Sequence, residues 1–239
     1  MQNRLALAIL AATALPAAAQ DWNVQVTPYV WASGMGGSVT PFSGAPTLSF
    51  DKSFSDVMED VDGAFFLSGY ARRDRLVFLG DLSWSSSSKD GLVPPGLPAE
   101  AKLTQRSMTL AAGYRAVQTG DMTLDLLAGA RAWRIKADVS VAGGAMSASP
   151  TESFVDPIIA ARANFALAPR WSAIFYFDVG GFGVGSDSTF QVLATANYQV
   201  NDNLFVSAGY RRLDVDYSSG GTHLGVTMAG PLFGVTWKF

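Results

Sequence analysis

The fold is decided by the end of the 239-residue chain, which reads Pro231-Leu232-Phe233-Gly234-Val235-Thr236-Trp237-Lys238-Phe239. Every second side chain in this stretch is aromatic or apolar, and these side chains are Phe233, Val235, Trp237 and Phe239. The residues between them are mostly small or polar. Successive side chains of a β-strand point to opposite faces, so a period of two indicates a strand. The stretch therefore predicts a strand with one aromatic face.

The same period continues upstream and predicts ten strands joined alternately by tight turns and longer loops. Nine of them cover residues 22–33, 63–72, 76–87, 101–117, 122–141, 153–167, 171–182, 189–200 and 204–217, and the last follows the 218–221 loop. The segments around Val39 and Leu48 could add a hairpin and make twelve strands, whereas merging two strands would make eight. A soluble β-sandwich would not keep every second connection tight.

The front of the chain predicts export. Arg4 precedes an apolar run and a small-residue segment that ends at Ala19, which is the layout of a signal peptide. We expect a signal peptide over residues 1–19 and one domain over residues 20–239. The chain has no cysteine and one histidine, so we expect no thiolate or histidine-rich metal site and no cofactor. The net charge of −3 argues against nucleic acid as a partner.

Composition favours a barrel in a membrane. Hydrophobic residues make up 49% of the chain and charged residues only 15%, yet no segment after residue 19 holds ~20 continuous apolar residues. A membrane barrel gives this combination, because half of each strand faces lipid. The predicted fold is all-β: a transmembrane up-and-down antiparallel β-barrel of about ten strands.

The alternate faces of these strands carry charges of both signs. We expect eight of them to face the lumen, namely Asp81, Asp125, Asp156, Asp178, Arg115, Arg131, Arg162 and Arg211. Buried charges must be paired, and a barrel of about eight strands is filled by its own side chains. An ion-pair network that fills a narrow lumen is therefore favoured over a selectivity lining.

The first long loop has a different period. Phe54, Val57, Met58 and Val61 stand at helical spacing, and Ser53 with Asp56 three residues later can cap a helix. We predict a short amphipathic helix over the barrel mouth. Its acidic residues are read as a solvated face, because no calcium-loop pattern is present.

Five motifs lie in the segments 22–34, 54–58, 156–157, 180–187 and 209–217. Together they resemble a widespread, largely uncharacterised family of proteobacterial outer-membrane β-barrel proteins, akin to small OmpA-like and OmpW-like barrels. The C-terminal Phe239 also looks like the signature that the outer-membrane insertion machinery reads. The resemblance implies a Gram-negative outer-membrane location and fold but gives no catalytic residue. It implies contact with outer-membrane lipids and lipopolysaccharide, and with periplasmic chaperones and the barrel-assembly machinery during biogenesis.

Four functions are considered from this sequence, and one of them, an adhesin, rests only on the external loops. The first is a non-enzymatic structural or surface barrel, or a narrow passive channel. The second is a transporter of small hydrophobic solutes through a lateral opening, because Pro231 cannot donate to the strand ladder and can mark a bulge. The third is a lipid A or phospholipid hydrolase that would use His223 with Ser218 or Ser219. We favour the first and expect no enzymatic activity. The sequence does not identify a solute or an oligomeric state.

Overall fold

The computed structural model describes residues 22–40, 43–44, 47–93, 96–149 and 151–239, and the predicted signal peptide lies outside the described residues. The elements are β1 (Asn23–Trp31), β2 (Gly34–Thr40), β3 (Leu48–Lys52), α1 (Phe54–Asp60), β4 (Val61–Arg73), β5 (Leu76–Val93), β6 (Leu97–Gln118), β7 (Met122–Val141), β8 (Met146–Ala148), β9 (Thr151–Ala168), β10 (Trp171–Gly180), β11 (Ser188–Gln199), β12 (Leu204–Ser219) and β13 (Thr222–Lys238). In this part of the chain no helix is long and apolar enough to cross a membrane.

Ten of the described strands form a closed antiparallel barrel, as predicted. Their order is β1-β4-β5-β6-β7-β9-β10-β11-β12-β13, and β13 pairs back to β1. The hairpin β2–β3 is not part of this ring. Its strand β2 pairs with residues 223–229 of β13. The hairpin that would have made a twelve-stranded barrel therefore forms, but it adds no strand to the ring. The short β8 pairs only with β7.

Period-two alternation in the sequence becomes alternation of burial. In β10, for example, Tyr176 and Asp178 are buried, whereas Phe175 and Phe177 are exposed on the outer wall. The same holds in β13, where Leu232 is buried and Phe233 is exposed. The apolar residues therefore coat the outside, which is the inverse of a soluble core and typical of a membrane barrel.

The connections differ between the two ends of the barrel. Residues 74–75, 119–121, 169–170 and 200–203 make short links, and we call this side the turn end. The other side, the loop end, carries α1, β2, β3, β8 and the longer loops. At the turn end Asp74 adopts a positive φ of 53°, which Asp tolerates better than most residues.

Several strands extend further toward the loop end than the sequence predicted. β5 and β6 run through the predicted 89–100 loop, and β6 has 22 residues. At ~3.3 Å per residue β6 is roughly 70 Å long, so even with a tilt of about 40° it is roughly twice as tall as an apolar band of ~25 Å. The prolines at positions 94, 95 and 98 predicted a loop in this segment. Around Pro98 the chain is instead a strand, because β5 and β6 pair there as a hairpin.

The strand ladder is interrupted next to Pro231. β1 pairs with β13 as far as Trp31↔Leu232, and β2 resumes the pairing at Gly34↔Ala229. At the break the Ala32 N–H donates to the Pro231 carbonyl at 2.9 Å, but Pro231 has no N–H to return. The proline predicted to mark an irregularity therefore lies opposite the point where β1 gives way to β2.

The predicted helix forms as α1, with Ser53 as its N-cap and a capping box to Asp56. No residue of α1 is buried, and Phe54 and Met58 are exposed. Val61 was predicted to belong to the helix, but it has extended backbone and begins β4. The helix contacts β2, β3 and β5, and thus lies beside the barrel rim.

Candidate functional site

The barrel interior brings together the charged residues predicted to face the lumen. Seven of them are buried, and Asp81 is partly buried at the wall of an internal cavity. They stand on β5, β6, β7, β9, β10 and β12. The interior divides into three charged clusters, an apolar cluster at the loop end and a small cavity.

The cluster nearest the turn end is built from neighbouring strands. Arg115, Asp125 and Arg162 are cross-strand partners on β6, β7 and β9. Arg115 Nε donates to Asp125 Oδ1 at 2.7 Å, and Arg162 Nη1 lies 3.6 Å from Oδ2 of the same carboxylate. The Tyr70 hydroxyl donates to Asp125 at 2.9 Å and accepts from Arg115 at 2.7 Å, and its ring lies under the Arg162 guanidinium. One carboxylate thus holds two arginines.

The second cluster is a two-point ion pair. Arg131 on β7 donates to Asp178 on β10 through Nη1 at 3.0 Å and Nη2 at 2.6 Å. The Thr109 and Thr189 hydroxyls accept from the same guanidinium. A buried ion pair is stable only when such further hydrogen bonds satisfy its remaining atoms.

The third cluster crosses the lumen. Arg211 on β12 donates to the Tyr29 hydroxyl on β1 at 2.6 Å and lies 3.5 Å from Asp81 on β5. Tyr29 in turn donates to Asp81 at 2.8 Å, and Gln191 accepts from Arg211 at 2.6 Å. Arg211 therefore links β12 to β1, two strands away in the ring, and to β5, four strands away.

Asp156 departs from the predicted network, because it makes no ion pair with any described residue. Its fully buried carboxylate accepts from the Trp133 indole N–H at 3.1 Å and from the Ser186 backbone N–H at 2.7 Å. The loop over residues 181–187 thus folds inward onto the barrel. Gly181 has a positive φ of 84°, and a Cβ on Gly185 would lie 2.4 Å from the Val155 carbonyl oxygen, so the close approach requires glycine.

The loop-end half of the interior is filled by apolar side chains. This apolar plug consists of Trp31, Trp133, Phe154, Leu213, Val215, Tyr217, Met228 and Leu232. The Phe154 and Tyr217 rings stack with centroids 4.6 Å apart, and Phe154 also stacks on Trp133. Most of these residues lie on the loop-end side of the charged clusters, whereas Leu232 also lines the cavity below.

A cavity of about 130 Å³ lies inside the barrel below the plug. Charged groups from all three clusters, Arg162, Arg131, Asp81 and Arg211, line part of its wall. The rest of the wall combines polar side chains, such as Gln25, Thr27 and Asn197, with the apolar side chains of Leu79, Ile174, Leu193 and Leu232. A space of this size has room for several water molecules or one small solute of about the size of benzene.

The other predicted residues lie on the outer surface. Phe233, Val235, Trp237 and Phe239 are exposed on the outer wall of β13 and at the end of the chain. Ser218 and His223 are exposed at the loop end, and the Ser218 hydroxyl lies 2.8 Å from His223 Nδ1. No described carboxylate hydrogen-bonds to His223, so the pair lacks the third group that orients a catalytic base.

Sequence reasoning missed the neutral partners of the charges. Tyr29, Tyr70, Trp133 and Gln191 each bond directly to a buried charge. They could have been found from their positions, because they occupy the alternate positions of the predicted strands that face the lumen. The described residues hold no group of three or more potential metal-ligating side chains.

Solved structures show the same architecture. The outer membrane protease OmpT from Escherichia coli has a TM-score of 0.63 at 12% identity, over 95% of this chain and 99% of that chain. The translocator domain of the autotransporter NalP from Neisseria meningitidis has a TM-score of 0.51 at 14% identity, over 92% and 88% of the two chains. No known family matches the sequence, and no curated protein matches it. The chain shares the fold of bacterial outer-membrane β-barrels.

Proposed function

We propose that the protein is a non-enzymatic surface barrel of the Gram-negative outer membrane whose lumen is closed by its own side chains. The observation that carries this proposal is that two groups of side chains obstruct the same lumen, one above the other. The apolar plug fills the loop end, and Arg211 crosses the lumen beneath it to Tyr29 and Asp81. A solute would have to displace both.

The length of the strands supports a surface role. β5, β6 and β7 have 18, 22 and 20 residues, and at the loop end β5 forms a hairpin with β6 and β7 forms one with β8. Near the loop end, the outward-facing side chains of these strands are polar or charged, and they include Lys102, Arg106 and Lys136. This part of the wall suits water and polar headgroups rather than hydrocarbon.

Labelling of intact cells tests the proposed location and orientation. The chain has no cysteine, so single cysteines introduced by Ala145→Cys at the loop end and Asp202→Cys at the turn end are unique targets. A membrane-impermeant maleimide is expected to label residue 145 on intact cells and residue 202 only after the outer membrane is broken. Labelling of residue 202 alone on intact cells, or of neither residue in protein shown to be folded, would contradict the proposal.

The unpaired start of β4 beside β1 favours a lateral route for hydrophobic solutes as the second candidate function. β1 pairs with β4 only between Tyr29↔Phe66 and Asn23↔Arg72, so the first residues of β4 have no β1 partner. Inside this seam the Phe66 ring packs against Tyr29 and Trp31. If the seam is a route, cells that lack the protein take up a labelled aromatic hydrocarbon more slowly, and Phe66→Ala speeds its uptake. Unchanged uptake in both would exclude this candidate.

A further inference from the structure

Two arginines stand side by side on the outer wall without an acidic partner. Arg106 on β6 and Arg134 on β7 are cross-strand partners, and both are exposed. Neither makes an ion pair or a side-chain hydrogen bond with any other residue in the part of the chain that the structure describes. Like charges directly opposite each other destabilise a sheet. An anion that binds both guanidinium groups would remove this repulsion.

The cations around the arginine pair are neutralised within the protein. Lys102 lies 3.1 Å from Asp62, and Lys136 lies 2.6 Å from Asp138. Farther along the rim, Arg212 forms a two-point ion pair with Asp214. The arginine pair is therefore an exception among these outer-wall cations, and its missing counter-charge points to a ligand from outside the chain.

An apolar groove begins directly below the arginine pair. It is shallow and largely open to the outside, with a volume of about 390 Å³, and its apolar lining includes Phe65, Leu82, Trp84, Met108 and Ala132. Leu82 and Met108 are 41% and 44% exposed, and Trp84 is the cross-strand partner of Arg106. A Trp at this height is typical of the boundary between hydrocarbon and headgroups.

We propose that this surface binds a phosphorylated, acylated glycolipid of the outer leaflet, of the lipid A class. A phosphate group would accept hydrogen bonds from Arg106 and Arg134, because guanidinium groups match phosphate in geometry and charge. An acyl chain would lie in the groove below. Thr104, two residues from Arg106 on β6, and Ser153, the cross-strand partner of Arg134 on β9, flank the arginines and would meet the sugar of such a lipid. This inference rests on the proposed outer-membrane location.

Binding is tested on the full mature chain refolded in detergent, with native mass spectrometry as the readout. Bis-phosphorylated lipid A is the probe, and lipid A without phosphates, phosphatidylglycerol and inorganic phosphate are the comparison ligands. The double variant Arg106→Gln/Arg134→Gln is expected to bind bis-phosphorylated lipid A at least 10-fold more weakly. The matched control Arg170→Gln/Arg212→Gln removes two positive charges away from the groove and is expected to bind like the unmodified protein.

The proposal predicts that phosphate-free lipid A, phosphatidylglycerol and inorganic phosphate all bind at least 10-fold more weakly than bis-phosphorylated lipid A. Equal binding by the double variant, by phosphate-free lipid A or by phosphatidylglycerol would overturn it, as would absent binding to folded protein. Cysteine labelling of cells reports the location separately. A folded, surface-located barrel that does not bind lipid A would therefore contradict this inference alone.

Discussion

Arg131 and Asp178 meet inside the barrel in a two-point ion pair whose side chains are 1% and 0% exposed. The two residues lie on β7 and β10, so the pair reaches past the intervening β9. Because both side chains are almost fully buried, the loss of one partner leaves the other buried without compensation.

The replacement Asp178→Asn tests this relationship. We expect it to lower the free energy of unfolding by about 3–5 kcal/mol, measured by urea titration in detergent micelles. Asp187→Asn is the control, because Asp187 is exposed, and it is expected to change stability by less than ~0.5 kcal/mol. Equal stability of the two variants would show that the buried pair does not hold the interior together.

The Tyr29 hydroxyl connects Arg211 to Asp81, with contacts of 2.6 Å and 2.8 Å. Tyr29→Phe keeps the ring but removes this bridge, so we expect a loss of about 1–3 kcal/mol in the free energy of unfolding. Tyr210→Phe serves as the control because Tyr210 faces outward. If both variants unfold at the same urea concentration, the bridge adds nothing to stability.

Acidification is expected to loosen α1. Hydrogen bonds from Lys52 and Lys89 hold the pKa of Asp60 below its ordinary value of 3.8. The stabilisation from a lowered carboxyl pKa is fully present above that ordinary value and is lost as the pH falls through the lower folded value. Hydrogen exchange of the α1 amides, corrected for the chemical rate, should therefore accelerate below about pH 4.

Asp60→Asn provides the control for this pH effect. It is expected to reduce α1 protection at neutral pH and to weaken the dependence on acid, because Lys52 and Lys89 lose their shared partner. An identical pH profile for both proteins would assign the effect to another group.

Gly185 should resist even a methyl group. A Cβ there would lie 2.4 Å from the Val155 carbonyl oxygen and 2.7 Å from Asp156 Oδ1. We expect Gly185→Ala to destabilise the protein by about 1–3 kcal/mol, because backbone atoms must move. Gly120→Ala meets nothing within 4 Å and should lie within ~0.5 kcal/mol of the unmodified protein. A neutral Gly185→Ala would mean that the 181–187 loop does not need to lie against the barrel.

The expected absence of enzymatic activity can be tested at the contact between Ser218 and His223. We expect purified protein to release no fatty acid from phospholipid or lipid A, and His223→Ala to leave this unchanged, because no described carboxylate orients the histidine. Acyl release that disappears in His223→Ala and Ser218→Ala would establish a hydrolase instead.

Alternation in the sequence was sufficient to predict the barrel, since lipid outside and a polar interior impose the same period on every strand. Ser53 and Asp56 likewise predicted the helix start, because a capping box is a local pattern. The partner choice inside the lumen could not be predicted. Asp156 stands directly opposite Arg131 in the sheet, yet Arg131 reaches Asp178 while Asp156 takes the Trp133 and Ser186 N–H groups. That choice depends on side chains which meet across the lumen, far apart in the chain.

Ion conductance in planar bilayers tests the closed lumen most directly. Protein shown to be folded and inserted is expected to give no stable single-channel steps. The variant Phe154→Ala/Tyr217→Ala/Arg211→Ala removes the central stack of the apolar plug together with the Arg211 barrier and serves as the control for detection, with small steps expected where the unmodified protein has none. Stable, salt-dependent steps from the unmodified protein would contradict the account and make the Asp81 and Arg211 cluster part of an open channel lining.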